Sequence, residues 1–283
     1  MKSNAARIRR SMTLNRKWSK TGMCTSSDEG TAAISQQATD QGKPAPAADA
    51  TLVEDLVTAN HILFNHGVVD AFGHVSVRHD KAPDRFLLAR NLAPALVTPD
   101  DIIEFDLDGN PLAAGGRAVY LERFIHGEIY RARADVMAVV HSHAPAVVPF
   151  GAVPAQPLKP IWHMSGFLGE GVPVFEIRDT AGPGSDLLIR SGDLGVALAA
   201  SLGPSSVVLM RGHGATVVGE NLKQAVFRAV YTQMNAELQL QAKILGAATF
   251  LNAQEAAATT ISVGGQIDRA WDMWSRQTGR NKP

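Results

Sequence analysis

The sequence predicts an α/β sandwich around a mainly antiparallel or mixed sheet, and three observations carry that prediction. Short apolar runs bounded by turn residues recur along the chain, and helical patterns fall irregularly between them. The stretch DIIEFDLDGNP carries Asp108-Gly109, the composition of a tight turn between strand-like segments. No internal repeat with a period of about 20–50 residues is present.

Taken in order, residues 1–50 are poor in aromatic and β-branched residues, rich in Ser, Ala and Gln, and end in GKPAPAADA, so they are expected to form a disordered basic and polar extension. Before Asp28 this extension holds Arg7, Arg9, Arg10, Arg16, Lys17 and Lys20 and no acid, a run also seen in transit peptides and RNA-binding arms. No apolar segment follows it, which argues against a secretory signal, and a solvated extension is the reading favoured here. From Thr51 the pattern changes. Leu52, Leu56, Ala59, Ile62 and Leu63 have the spacing of a buried helical stripe that should end near Gly67, and residues 51–283 read as one folded domain. HVSVR, RFLLA and DIIEF then read as strands. A helical stretch over 121–133 leads into an apolar strand over 136–140, directly followed by His-Ser-His. VPVFEI, SSVVLMRG and ATVVG are further strand candidates, and 221–246 is a long helix rich in Ala, Leu, Gln and Met. Trp271 and Trp274 are expected at a subunit interface.

Composition narrows the function classes. The 283 residues are 45% hydrophobic and 19% charged, enough for one substantial core. Lys plus Arg and Asp plus Glu both number 27, so no global field draws the chain to nucleic acid or an acidic membrane. The single cysteine, Cys24, allows no intramolecular disulfide and suits a reducing cytoplasm. No window approaches the roughly 20 apolar residues of a membrane span, so a soluble protein is expected.

The strongest local signal is AVVHSHA. Side chains alternate faces at a period of two in a strand, so His141 and His143 point the same way and can share one ion. His213 in MRGHGAT is a third candidate, because Gly212 and Gly214 permit a tight turn that presents the ring from a strand end. Three neutral imidazoles leave a coordination position open, as catalytic sites do. Glu122, nineteen positions before His141 and one helical turn before His126, can bring a carboxylate to the same pocket. Beside an open metal position such a carboxylate serves as a ligand at rest and as a general acid or base once substrate displaces it.

The combination of GHVSVR, Glu122 and His126 followed by AVVHSHA, and RGHGA resembles the class II aldolase and adducin family over residues 51–246. The resemblance implies a three-layer α/β/α sandwich, commonly a homotetramer with active sites near subunit boundaries. It also implies that His141, His143 and His213 hold one divalent ion per subunit while Glu122 handles protons. Zinc or manganese is expected, and iron is compatible with the same ligands.

Departures from the aldolase pattern point to the substrate. Phosphate-binding aldolases of the family have Gly-Asn-Val-Ser where this chain has Gly73-His74-Val75-Ser76, a Thr-Pro-Ser/Thr-Gly loop where it has Leu88-Ala89-Arg90-Asn91, and Ser-Ser where it has Tyr120-Leu121. Small hydroxyls and a glycine nest that would cradle a phosphate dianion are gone. In their place His74, Ser76, Arg90, Asn91 and Tyr120 are candidate substrate contacts, with the Arg90 fork suited to a carboxylate and Tyr120, Leu121 and Phe124 as apolar walls. The pattern is similar to a branch of the family that decarboxylates hydroxylated aromatic or pyridine dicarboxylates. The resemblance therefore implies a metal-dependent carbon–carbon lyase acting on a small carboxylate through an enolate-type intermediate. Glu122, or His163 in PIWHMSGFLG, is the candidate acid for ring protonation. The same site is compatible with an aldolase for a non-phosphorylated hydroxy-keto acid or sugar, and with an Fe(II) oxygenase. A non-catalytic adducin-like module is disfavoured because all three histidines and Glu122 are present.

Overall fold

Alternation of apolar residues between two faces, legible in each strand, is what builds the core. The computed structural model describes residues 46–279, so most of the expected extension 1–50, with Cys24, lies outside the described residues. Helix α1, Ala50–Asn65, begins at Asp49, whose side chain accepts from the Thr51 N–H at 2.8 Å. It buries Leu56, Ala59, Ile62 and Leu63 and stops before Gly67, which has φ 65°, as the stripe predicts.

The strands are β1 His74–Arg78, β2 Arg85–Ala89, β3 Ile102–Asp106, β4 Ala138–Ser142, β5 Val174–Phe175, β6 Val207–Met210 and β7 Gly214–Gly219. They form one seven-stranded sheet in the order β3-β2-β1-β4-β7-β6-β5. Every pairing is antiparallel except β5 with β6, so the sheet is mixed and mainly antiparallel as expected.

Each central strand feeds both faces. Val75, Val77, Ala138, Val140, Leu209 and Val217 face one apolar cluster, together with α1, α6 (Leu222–Leu245) and α8 (Ile267–Gln277). Val139, Val208, Met210 and Val218 face the other, under α2 (Phe124–Ala132) and α5 (Gly192–Leu202). Helices thus cover both faces, which gives the α/β/α sandwich. On the α2 face Phe86 and Phe105 stack at 5.3 Å, an aromatic pair worth about 0.5–1.5 kcal/mol beyond its buried area. Shorter helices α3 (Val148–Ala152), α4 (Arg178–Ala181) and α7 (Ala253–Gly264) complete the fold, with α7 packed on the 3-10 segment His163–Leu168. None of the described helices is long and apolar enough to cross a membrane.

Three expectations are corrected. The helix over 121–133 is split, because Leu121–Arg123 is a 3-10 turn in which Glu122 has φ −91° and ψ 18°, and α2 starts only at Phe124. The Asp108-Gly109 turn forms, with Gly109 at φ 78°, but the strand after it is reduced to one bridge between Phe105 and Pro111. Trp271 and Trp274 are buried in this chain's own core, where Trp274 packs on His66, Phe227 and Tyr231. Helix α6 mostly packs, and its Gln239 is buried, donating to the Pro157 carbonyl and accepting from the Lys159 N–H.

Candidate metal centre

Antiparallel pairing of β1 with β4 sets His74 directly opposite His141, so the start of one strand and the end of the other meet at one end of the sheet. The β6–β7 turn arrives at the same end. Gly212, at φ 67°, lets that turn close, and a side chain at Gly214 would collide with the Ser142 carbonyl, so glycine permits His213 to approach the His-Ser-His strand. His143 lies just past β4 and shares the α2 face with His141 and Val139.

These placements bring four donors together. His143 Nε2 is 3.0 Å from His141 Nε2 and 2.9 Å from His213 Nε2, and Glu122 Oε2 is 3.5 Å from the Nε2 atoms of both His141 and His213. All four ligand atoms lie within 4.8 Å of one another. Glu122 reaches the cluster because its other oxygen, Oε1, accepts the main-chain N–H of Ile189 at 2.9 Å.

The donor set fits a divalent cation. Neutral imidazoles meeting nitrogen to nitrogen cannot satisfy three facing lone pairs with the protons available, and a cation at their centre removes the conflict. Four of the six separations, 2.9–3.5 Å, bracket the edge of about 3.3 Å expected of a tetrahedron with metal–nitrogen bonds near 2.0 Å. Electrostatics prepares the same state. Burial lowers His141, and burial followed by His141 and His213 pushes His143 down to about 4, so both rings are neutral near pH 7. Burial alone would raise Glu122, but His141 and His213 hold it well below the usual carboxylate range, so it stays ionised.

A cavity of about 560 Å³ opens beside the donors, lined by His74, Asn91, Tyr120, Glu122 and His143 with apolar walls from Phe72, Leu92, Leu121 and Leu188. Three of the expected substrate residues, His74, Asn91 and Tyr120, therefore face it. The Tyr120 hydroxyl is already engaged, donating to the Leu92 carbonyl, so Tyr120 presents its ring and holds the 91–93 loop in place.

The other placements depart from expectation. Ser76 is fully buried and bonds to His126 and Tyr130, because its strand position turns it under α2 rather than into the cavity. His163 is exposed, opens the 3-10 segment next to Trp162 and belongs to neither the cavity lining nor the donor cluster. Arg90 does not line the cavity, since its Nε donates to Asp101 at 2.6 Å and Asp101 is itself held by Thr98. Arg90→Ala is accordingly expected to cost about 0.2–1 kcal/mol of stability, the range of a partly exposed ion pair, and to leave KM within about 2-fold of the parent. A steady-state comparison checks this, and a large KM rise confined to carboxylate substrates would restore the contact. Sequence reasoning missed the Ile189 amide, which has no side-chain signature, and the walls from Phe72 and Leu188, which come from aperiodic loops.

The sandwich matches the fold of an L-fuculose 1-phosphate aldolase from Glaciozyma antarctica PI12, with a TM-score of 0.67 over 84% of this chain and 95% of that one at 24% identity. Fold and donors together define an α/β/α protein with a three-histidine, one-carboxylate pocket at one sheet end. The chain belongs to the class II aldolase and adducin family, whose Class II Aldolase and Adducin N-terminal domain matches residues 54–240. It is 39% identical over 248 residues to the decarboxylase tropJ of Talaromyces stipitatus, covering 80% of this chain and 93% of that protein. It is also 32% identical over 217 residues to a 3,4-dihydroxyphthalate decarboxylase of Arthrobacter keyseri, covering 72% of this chain and 83% of that protein.

Proposed function

We propose that this protein is a divalent-metal-dependent carbon–carbon lyase that decarboxylates a hydroxylated aromatic or pyridine mono- or dicarboxylate. The observation that carries this reading is the apolar-walled cavity set directly against the four-donor cluster, in a chain whose relatives include named decarboxylases. A zinc or manganese ion held by His141, His143, His213 and Glu122 would supply a Lewis acid that draws electron density from the substrate. Phe72, Leu92, Tyr120, Leu121 and Leu188 give the cavity apolar walls suited to the faces of a planar ring. His74 and Asn91 offer polar contacts to ring substituents. Glu122 Oε2, the oxygen not taken by Ile189, would take the proton that the substrate hydroxyl gives up on reaching the cluster and return it to the ring carbon that loses its carboxyl.

The cavity mouth supports a second expectation. Phe72 is 66% exposed and Leu121 54% exposed at its edge, surfaces that a neighbouring subunit of a homotetramer would cover.

The test is carbon dioxide release from ortho-hydroxylated aromatic and pyridine dicarboxylates, with protein reconstituted anaerobically with manganese, zinc or iron. Metal-dependent release is the expected result. Release of pyruvate or an aldehyde from hydroxy-keto acids, with no carbon dioxide from the aromatic panel, would overturn decarboxylation in favour of aldol cleavage.

A further inference from the structure

Behind the cavity wall a chain of buried polar side chains runs from His74 into the core, and the chemistry above leaves it unused. His74 Nδ1 lies 2.7 Å from His126 Nε2, His126 Nδ1 lies 2.6 Å from Ser76 Oγ, and Ser76 Oγ lies 2.7 Å from the Tyr130 hydroxyl. His74 is 4% exposed and the other three at most 1%. Local periodicity builds the chain, since residues 74 and 76 share a strand face and residues 126 and 130 share a helix face, and the two faces interleave.

The inner three groups are closed to bulk solvent and bonded to one another, so each proton is assigned within the chain. Tyr130 carries one proton, held firmly because burial pushes the phenol up, and Ser76 Oγ is its hydrogen-bond partner. With Tyr130 donating to Ser76, the Ser76 hydroxyl donates onward to His126 Nδ1. His126 Nδ1, which accepts from Ser76, carries no proton, so the ring holds its one proton on Nε2 and donates it to His74 Nδ1. His74 is then left with its own proton on Nε2. The opposite direction would strand the Tyr130 O–H in the core, which is the costly arrangement.

We propose that Tyr130, Ser76 and His126 form a one-way hydrogen-bond relay that locks His74 in its Nε2–H tautomer, making it a fixed donor to an anionic oxygen on the substrate ring and a selector for substrates that carry one. Packing holds the donor in place, because the His74 ring lies 4.6 Å from the Tyr120 ring and 5.0 Å from the His141 ring, and His74 lines the cavity. A donor fixed before binding stabilises charge that builds on that oxygen without reorganisation. His126, Ser76 and Tyr130 touch no substrate and are positioning residues. The substrate class rests on the decarboxylase reading, whereas the tautomer does not.

The experiment is histidine 15N NMR on the full chain loaded with zinc, at neutral pH, for the parent and for the Ser76→Ala/Tyr130→Phe double variant, which removes both hydroxyls without stranding either. In the parent, His74 is expected to show a protonated Nε2 and an unprotonated Nδ1. A proton on Nδ1 would overturn the proposal, and it does so without any variant having to fold. In the double variant His74 is expected to sample both tautomers, and retention of the single Nε2–H form would show that the relay does not set it. Calorimetric binding supplies the second readout. The double variant should lose about 10-fold or more in affinity for a dihydroxybenzoate and stay within about 2-fold for benzoate, and equal losses would overturn the selector role. If neither compound binds the parent, the substrate class and the selector role fall together, while the tautomer assignment stands or falls on the spectrum alone.

Discussion

Replacement of His213 by alanine is expected to abolish metal-dependent turnover while leaving the folded chain intact. The ring sits in the β6–β7 turn with its Nε2 2.9 Å from His143 Nε2, and its Nδ1 has no hydrogen-bond partner, so deletion removes a ligand without breaking a bond to the core. His141, by contrast, is fully buried within β4, and its removal would also open a hole in the sheet layer. Loss of an outer-shell partner alone costs 10–100-fold in metal affinity, so loss of a direct ligand should cost at least about 100-fold. Stability reports the same quantity by mass action. At free metal about 1,000 times the parent's Kd, the parent gains about 4 kcal/mol and a variant with 100-fold weaker binding only about 1.4 kcal/mol. Metal analysis after dialysis, with denaturant unfolding in the presence and absence of the ion, checks both. A His213→Ala protein that keeps one metal per chain would remove His213 from the site.

What could be read from the sequence was whatever depends on local period. Alternation in HVSVR and AVVHSHA gives the two faces of β1 and β4, and with them the shared direction of His141 and His143. The glycines around His213 mark its turn for the same reason. Features that depend on a distant partner were not legible. Glu122 is turned out of helical geometry and tied to the Ile189 N–H, 67 positions away, and no period in 121–133 announces that. Arg90 has the right charge for a carboxylate, but Asp101 lies across the β2–β3 connection and takes it. Ser76 sits in the family-like GHVS stretch yet faces α2, because the same alternation that aims His74 also directs Ser76 beneath His126 and Tyr130. Trp271 and Trp274 look like interface residues when α8 is unseen, and become core residues once α8 packs on α1 and α6.

Replacement of Glu122 by glutamine is expected to lower kcat by about 10²–10⁴-fold with the fold preserved, the range in which a positioned acid or base contributes. The substitution keeps the side chain's size, and the amide oxygen can still accept from Ile189, so the 3-10 turn at 121–123 and the cavity wall should persist. What disappears is the negative charge that the histidines hold ionised and the ability of Oε2 to take and return a proton. Those two losses separate experimentally. If Glu122 acts chiefly in proton transfer, the variant still binds metal and substrate, KM changes little and the deficit falls on kcat. If it acts chiefly as a ligand, metal content falls in parallel with activity, and excess metal restores turnover. Full activity at normal metal content would exclude both roles and shift ring protonation to another group at the cavity, of which His74 is one candidate, lining the same space with its Nδ1 already committed to His126.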